Sequence, residues 1–220
     1  MSTTIPHVLD IFMLILAYLL GGIPFGLIIS KMNGIDIRDF GSGNIGATNV
    51  VRILGRKAGF TVFALDAVKG WVAVDILPPI ASRLPWTNLD PLIMGILCGV
   101  AAVLGHSYPV YLRFKGGKGV ATSAGVLIGI APFAAAFGLV AWGIAFKLTR
   151  YVSLASIIAA LVVAAAGWWR YPQDSLLLPC VLSLLVFLVI IRHRSNILRL
   201  LGGNEKRFDN RPPPPPGGGL

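Results

Sequence analysis

The sequence predicts an all-α integral membrane protein with about seven transmembrane helices, for three reasons. Hydrophobic residues make up 55% of the 220 residues and charged residues only 13%, against roughly 25% charged residues in soluble domains. The mean hydropathy is +0.78, and a chain this apolar has too few polar residues to cover a large soluble core. The third reason is a series of apolar runs long enough to cross a bilayer.

The apolar runs follow one another with short polar segments between them. They are residues 8–30, 58–82, 91–112, 120–146, 151–169 and 175–191. The first run contains GGIPFG, whose glycines and proline are tolerated where neighbouring helices cover the freed backbone groups. Since no basic stretch or small-residue cleavage signal accompanies it, we expect this run to remain as the first span.

Loop charge predicts the orientation. The basic segments are 31–57, 113–118, 147–150 and the tail from 192. The positive-inside rule places all of them in the cytoplasm and the N-terminus outside, which requires an odd number of spans. An odd number results if the run 120–146 is two short helices broken near Pro132, because proline disfavours helix at the residue before it. We therefore expect seven spans. Each half of this run is shorter than about 20 residues, so partial penetration of the bilayer by this pair is the alternative.

The net charge of +10 comes from 19 Lys and Arg against 9 Asp and Glu. On a soluble protein this balance would suggest nucleic acid. In a membrane protein it fits loops that face an anionic cytoplasmic leaflet, or phosphorylated substrates, so no nucleic-acid partner is expected. Cys98 and Cys180 lie in apolar runs, so we expect neither a disulfide nor a metal site.

The first donor-rich segment is GSGNIGATNVVR, residues 41–52. Its glycines match the dinucleotide-binding pattern G-x-G-x-x-G, and Asp66 follows Gly46 by twenty residues, where an acidic ribose ligand would stand. The dinucleotide-binding pattern needs a preceding strand and a βαβ unit, whereas a predicted membrane helix precedes the segment 41–52. Nucleotide binding is therefore rejected in favour of an anion site, with an ordinary interfacial turn as the alternative.

Side-chain donors favour the anion site over the turn. Small residues let backbone N–H groups approach an anion, and the arginine of the segment adds a planar fork suited to phosphate. The five donors are Ser42, Asn44, Thr48, Asn49 and Arg52.

The second segment is FKGGKGVAT, residues 114–122. It is not a Walker A loop, because Gly119 follows Lys118 where Ser or Thr is required. Gly116, Gly117 and Gly119 nevertheless surround a lysine and open a predicted helix, and a helix N-terminus preceded by a glycine nest binds anions. A phosphate site is favoured over a flexible basic loop at the lipid headgroups.

The third segment is RHRSNILRLLGGNE, residues 192–205. Its leucines and isoleucine form an apolar stripe, as in an interfacial amphipathic helix. His193 and Asn196 are three residues apart and share one helical face. Because histidine titrates near neutrality, His193 is a candidate for orienting a substrate.

Two further motifs lie within apolar runs. In LDAVKG, Asp66 and Lys69 are three residues apart, and charges inside a membrane are usually paired and turned to the interior. We expect a structural pair there rather than direct chemistry. His106 in GHSYP ends the third apolar run near the second segment, and we expect it either to serve packing or to support a residue that touches the substrate.

Taken together, these motifs resemble one family over residues 10 to 207. GSGNIGATNVVR, FKGGKGVAT and HRSNILRLLGGNE are similar to the three cytoplasmic motifs of the bacterial acyl-phosphate:glycerol-3-phosphate acyltransferases, the PlsY family. LDAVKG and GHSYP also resemble that family. The resemblance implies seven spans in the bacterial inner membrane, with all three motifs on the cytoplasmic face. It also implies acyl transfer from acyl phosphate to glycerol 3-phosphate, which gives 1-acyl-glycerol 3-phosphate and phosphate and begins phospholipid synthesis.

The resemblance also implies roles for individual residues. Ser42 and Arg52 would bind substrate phosphate, and Glu205 would be structural, like Asp66 and Lys69. The predicted catalytic residues are Lys118, His193 and Asn196. The predicted substrate-binding residues are Ser42, Asn44, Thr48, Asn49, Arg52, Gly116, Gly117, Lys118, Gly119 and Thr122.

The chemistry is consistent with these roles. An acyl phosphate is already activated, so the substrate hydroxyl attacks directly and the enzyme supplies proximity and cationic stabilisation. We expect no cofactor and no metal, and either His193 or a substrate phosphate oxygen would accept the proton. The alternative is a transporter of a phosphorylated solute, which would bind near the bilayer midplane between repeats.

One acyltransferase domain is therefore expected over residues 1–207. Residues 208–220 contain RPPPPPGGGL, a composition that favours polyproline II and flexible glycine. We expect a disordered tail.

Overall fold

The computed structural model describes residues 6–84, 89–172 and 176–208, and within these ranges the chain is helical with no strand. The predicted tail, apart from Phe208, lies outside the described residues. The α-helices are α1 (Pro6–Gly22), α2 (Phe25–Met32), α3 (Ala47–Asp75), α4 (Leu77–Ser82), α5 (Pro91–Ser107), α6 (Val120–Ile130), α7 (Pro132–Thr149), α8 (Val152–Arg170), α9 (Leu177–Arg192) and α10 (Arg194–Leu201). Two 3-10 helices, Ile37–Asp39 and Val110–Leu112, lie in the loops.

Several helices have the length and composition of membrane spans. In the described part of the chain four qualify by themselves: Leu9–Met32, Pro91–Leu112, Pro132–Thr149 and Val152–Arg170. A fifth, α9 with α10, qualifies as a pair bent by 59°. The protein is therefore a multi-pass helical membrane protein.

Each predicted interruption of the apolar runs is present. The first run breaks between α1 and α2, where the freed carbonyl of Ile23 accepts a hydrogen bond from Lys69 Nζ at 2.8 Å. The run 120–146 breaks at Ala131, before Pro132, as predicted. The span predicted from residue 58 instead continues a helix that starts at Ala47 and is kinked at Gly55, where φ is +85°.

Small residues bring the helices together in pairs. Helix α1 packs on α5, where Gly21 lies against the backbone of Ala102. Helix α3 packs on α6, where Gly70 lies against the backbone of Thr122, and α7 packs on α8. This is how membrane helices associate, because contact between small residues lets their backbones approach closely.

Large apolar side chains cover the outer surface of the bundle. On α7 the exposed residues include Leu139, Val140, Ile144 and Leu148. Such a surface would be unstable in water but suits the hydrocarbon of a bilayer. The polar side chains that matter for chemistry collect instead where the helices end.

Candidate functional site

Four chain segments meet at one end of the bundle. Arg52 Nη2 donates to the carbonyl of Lys206 at 3.1 Å, which joins the first donor-rich segment to the chain after α10. The second and third segments meet through Lys118 and Asn196, and Ser153 at the start of α8 joins them through Glu205. We call these side chains, with His193, Arg192 and Arg199, the polar cluster.

The loop before α6 is shaped by close packing on α5. The glycine loop, residues 116–119, lies on His106, whose carbonyl accepts a hydrogen bond from the Gly117 N–H at 3.1 Å. A Cβ at Gly117 would lie 2.1 Å from His106 Nε2, so a side chain does not fit there. Gly119 caps α6 with φ of +80°, a conformation that glycine adopts without strain.

A chain of hydrogen bonds runs through the cluster. Lys118 Nζ donates to Asn196 Oδ1 at 2.5 Å, and Asn196 Nδ2 donates to Glu205 Oε1 at 2.6 Å. The same carboxylate oxygen accepts from Ser153 Oγ at 2.6 Å, and its other oxygen accepts from Arg199 Nε at 2.7 Å. Glu205 therefore orients Asn196, which in turn orients the lysine of the glycine loop.

Cations dominate the electrostatics of the cluster. Burial and the nearby charges of Arg199, Arg52 and Arg192 lower the pKa of Lys118 to about 8, although Glu205 acts in the opposite direction. The positive charges around Lys118 are thus only partly balanced, and an added phosphate would relieve their repulsion.

Glu205 is held in its charged form. Its burial acts to raise its pKa, but the hydrogen bonds from Ser153, Asn196 and Arg199 outweigh burial and lower it. A carboxylate that already accepts three side-chain hydrogen bonds is suited to holding its neighbours rather than to exchanging protons.

His193 lies buried at the bend between α9 and α10. Its Nδ1 is 2.8 Å from the carbonyl of Val189, which can only accept, so Nδ1 carries the hydrogen. Burial and the charge of Lys118 lower the pKa of His193 to about 4. The ring is therefore neutral near pH 7 and Nε2 is a hydrogen-bond acceptor.

Asn49 holds the first donor-rich segment in shape. Its Nδ2 donates to the carbonyls of Phe40 and Asn44, both at 3.0 Å, and to that of Ile37 at 3.3 Å. Its Oδ1 accepts from the N–H of Ser42 at 3.0 Å. The amide is thus fully engaged with the loop backbone.

The other predicted residues of this segment differ in exposure. Ser42 is exposed at the loop surface, and Thr48 is partly buried in the first turn of α3. Asn44 Oδ1 accepts from the Gly46 N–H at 2.8 Å. Thr122, predicted in the second segment, is 0% exposed and lies in the contact between α3 and α6 rather than at the cluster surface.

Asp66 and Lys69 form the predicted buried pair, with 2.6 Å between Lys69 Nζ and Asp66 Oδ1. His106 joins them, because its Nδ1 lies 3.1 Å from Lys69 Nζ. This ionic group lies directly behind the glycine loop, on the side of the loop that contacts α5. Its position fits the structural role that the sequence predicts.

Sequence reasoning missed two groups that the structure brings into the cluster. Arg192 donates to the carbonyls of Gly116 and Gly117, and its guanidinium lies 4.9 Å from the ring centre of Tyr108. An arginine at the end of an apolar span looks like an ordinary interfacial charge. Ser153 gives no signal in sequence, because its partner Glu205 is 52 residues away.

The structure also bears on metal binding. Among the described residues, no group of three or more His, Cys, Asp and Glu side chains is placed to hold a metal ion.

Comparison with known proteins identifies relatives over most of the chain. A family model described as glycerol-3-phosphate acyltransferase matches residues 11–203. The chain is 46% identical over 174 residues to a glycerol-3-phosphate acyltransferase of Aquifex aeolicus (strain VF5), a match that covers 79% of this chain and 87% of the relative. It is 51% identical over 150 residues to the protein of that name from Bacillus cytotoxicus, with 68% and 71% covered.

Solved structures agree in fold. The crystal structure of PlsY, an integral membrane glycerol 3-phosphate acyltransferase, in its glycerol 3-phosphate form matches with a TM-score of 0.79 and 42% identity, covering 91% of this chain and 96% of that one. The lysophosphatidic acid form matches with a TM-score of 0.76, also at 42% identity, covering 91% and 95%.

Proposed function

Since this chain belongs to the glycerol-3-phosphate acyltransferase family, we propose that its polar cluster binds glycerol 3-phosphate and transfers to it the acyl group of an acyl phosphate. The chain is an acyltransferase of phospholipid synthesis. The observation that carries the site assignment is the meeting of Arg52, Lys118 and the glycine loop at one end of the bundle.

Substrate phosphate is assigned to the cations of the cluster. Lys118 and the adjacent N-terminus of α6 offer charge and backbone N–H groups, the usual combination for anion binding at a helix start. Arg52 adds a bidentate fork from the start of α3, and the exposed Ser42 hydroxyl extends the site. Relatives of known structure are described with glycerol 3-phosphate and lysophosphatidic acid, which supports this substrate class.

In the proposed reaction a hydroxyl of glycerol 3-phosphate attacks the carbonyl carbon of the acyl phosphate. A new ester C–O bond forms, the bond from the acyl carbon to the phosphate oxygen breaks, and inorganic phosphate leaves. Lys118 and the glycine loop stabilise the charge that develops on the departing phosphate. A mixed anhydride needs no covalent enzyme intermediate, so proximity supplies much of the rate.

His193 is proposed to orient the attacking hydroxyl through its Nε2 acceptor. With a pKa of about 4 it is a weaker base than a phosphate dianion, whose second pKa is about 6. The hydroxyl proton therefore passes to a phosphate oxygen of the substrates. Asn196 keeps Lys118 in place for that step.

The proposed topology places the cluster at the cytoplasmic surface of the bacterial inner membrane. Seven spans are α1 with α2, the later part of α3 with α4, and α5, α6, α7, α8 and α9, with the N-terminus outside. Support comes from the basic segments, which meet at the same end as the cluster, and from the break at Ala131. Residues 1–207 would form this one domain.

A transporter of phosphorylated solutes is not favoured. Its donors should lie near the bilayer midplane, whereas those of this chain lie where α6, α8 and α10 begin and α9 ends.

A donor assay tests the proposal. Purified protein is supplied with labelled glycerol 3-phosphate and one donor at a time: palmitoyl phosphate, palmitoyl-CoA or palmitoyl-acyl carrier protein, each with and without chelator. We expect product only from palmitoyl phosphate, unaffected by chelator, with one phosphate released for each acyl group transferred. Transfer from a thioester donor alone would overturn the assignment of the donor.

A further inference from the structure

We propose that Arg192 is a positioning residue that holds the glycine loop in its anion-binding conformation and couples it to His193 and Asn196. The proposal deepens the proposed function and rests on it, since that function assigns the loop to substrate phosphate. Arg192 itself is not required to touch the substrate.

The contacts of Arg192 fix two successive peptide groups. Its Nη2 donates to the carbonyl of Gly116 at 2.8 Å and to that of Gly117 at 2.8 Å, and its Nε donates to Gly117 at 3.0 Å. In a trans peptide the N–H points opposite to the carbonyl. With the Gly117 carbonyl turned to Arg192, the N–H of Lys118 is directed to the opposite side.

The neighbouring peptide is held from both ends. The carbonyl of Gly116 accepts from Arg192, while the N–H of the same peptide group, that of Gly117, donates to His106 at 3.1 Å. Glycine has many accessible conformations, so a loop rich in it needs such fixed points to present its N–H groups in one arrangement. Arg192 supplies the fixed points on the side that faces α9.

Only an arginine fits these contacts. The guanidinium is planar, donates from two nitrogens at once and stacks over the Tyr108 ring at 4.9 Å. A lysine would keep the charge but reach one carbonyl as a point donor. The exchange of arginine for lysine therefore separates geometry from charge.

The position of Arg192 in the chain provides the coupling. It is the last residue of α9, and His193 follows it at the bend to α10. Asn196, one turn further, binds Lys118. The glycine loop is thus attached to the α9–α10 bend by two sets of contacts, Arg192 on the carbonyls and Asn196 on the lysine.

The test combines hydrogen exchange with kinetics on the full chain in nanodiscs. Exchange is followed in peptides covering residues 114–122 for the wild type, Arg192→Lys, Tyr108→Leu and Lys118→Met. Arg194→Lys is the matched control, because it makes the same change at an exposed residue two positions away. Glycerol 3-phosphate saturation and inhibition by inorganic phosphate are measured on the same samples.

We expect faster loop exchange in Arg192→Lys, with a KM for glycerol 3-phosphate raised about tenfold, the usual effect of losing a charge-assisted contact. Inhibition by phosphate should weaken in parallel, with kcat less affected. Tyr108→Leu, which removes the stacking partner, should change the loop exchange, the KM and the phosphate inhibition in the same direction but by less. Arg194→Lys should behave as wild type.

Two results would contradict the inference. Unchanged loop exchange in Arg192→Lys would show that the arginine does not hold the loop, and a fall in kcat and thermal stability with unchanged KM would show that it serves folding alone. A different pattern would fault the proposed function instead: faster exchange in Arg192→Lys, with the KM for glycerol 3-phosphate unchanged in both Arg192→Lys and Lys118→Met. The loop would then be positioned by Arg192 but would not bind substrate phosphate.

Discussion

Lys118 combines burial, charge and a hydrogen-bond partner in one side chain. It lies on the glycine loop, binds Asn196, and has a pKa lowered to about 8 by burial and neighbouring arginines. Since the ordinary value for lysine is 10.5, its charge is lost at a lower pH than that of a surface lysine. The side chain that we assign to phosphate is therefore also a titrating group of the free enzyme.

This pKa predicts the alkaline limb of the pH profile. Lys118 is charged below about pH 8, so kcat/KM for glycerol 3-phosphate should fall as pH rises through that value, by up to about tenfold per pH unit. Lys118→Arg keeps its charge at high pH and should move the limb upward. The measurement is kcat/KM from pH 6 to 10, with the exposed Lys115→Arg as control; a limb that stays in Lys118→Arg would assign the titration to another group.

Arg52 is assigned to phosphate through the geometry of its fork. Arg52→Lys keeps the charge but cannot donate two parallel hydrogen bonds, so KM for glycerol 3-phosphate should rise about tenfold. Saturation curves at fixed acyl phosphate measure this, and the exposed Arg194→Lys is the control. Wild-type kinetics in Arg52→Lys would mean that Arg52 only anchors the chain at Lys206.

At the scale of elements, the features of α10 can be predicted from the local sequence, whereas those of the glycine loop depend on contacts with distant residues. The amphipathic stripe of α10 and the shared face of His193 and Asn196 follow from local periodicity, and the structure has both. The need for glycine at position 117 has a cause that is not local: the ring of His106, on α5, leaves no room for a side chain there. The role of Arg192 could not be predicted from the sequence for the same reason, since the two glycines that it contacts precede it by 75 and 76 residues.

Replacement of Gly117 tests the close approach. Gly117→Ala would place a Cβ 2.1 Å from Nε2 of a buried histidine that Lys69 holds in place, and such overpacking costs about 1–3 kcal/mol. We expect a lower melting temperature and a higher KM for glycerol 3-phosphate. Gly143→Ala on α7, where nothing lies within 4 Å, is the matched control, and equal behaviour of the two variants would refute the packing argument.

At the scale of the whole molecule, composition and run length predict a helical membrane protein, and both the helices and the solved relatives agree. The break at Ala131 could be predicted, because the need for an odd number of spans and the proline at position 132 both indicated it. The early start of α3 could not be predicted. Its first two turns carry polar donors of the first segment, so they do not look like part of an apolar run. The meeting of these segments at one end of the bundle depends on tertiary contacts between motifs, and no single motif predicts those contacts.

Cysteine labelling in intact cells measures the orientation of the chain in the membrane. In a Cys180→Ala background, where the remaining Cys98 is buried, Arg83→Cys after α4 and Lys147→Cys in the last turn of α7 place labels on exposed positions beside two different loops. With seven spans and the N-terminus outside, an impermeant thiol reagent should label position 83 and not position 147. Labelling of 147 alone would reverse the topology, and labelling of both would change the number of spans between them.

A structure of this chain with glycerol 3-phosphate bound shows directly whether the polar cluster is the binding site for that substrate. We expect the phosphate between Lys118 and Arg52, with oxygens about 2.7–2.9 Å from their nitrogens, as in charge-assisted hydrogen bonds, and a glycerol hydroxyl near His193 Nε2. A phosphate bound at the opposite end of the bundle, or one without contact to Lys118, would show that the polar cluster is not the binding site.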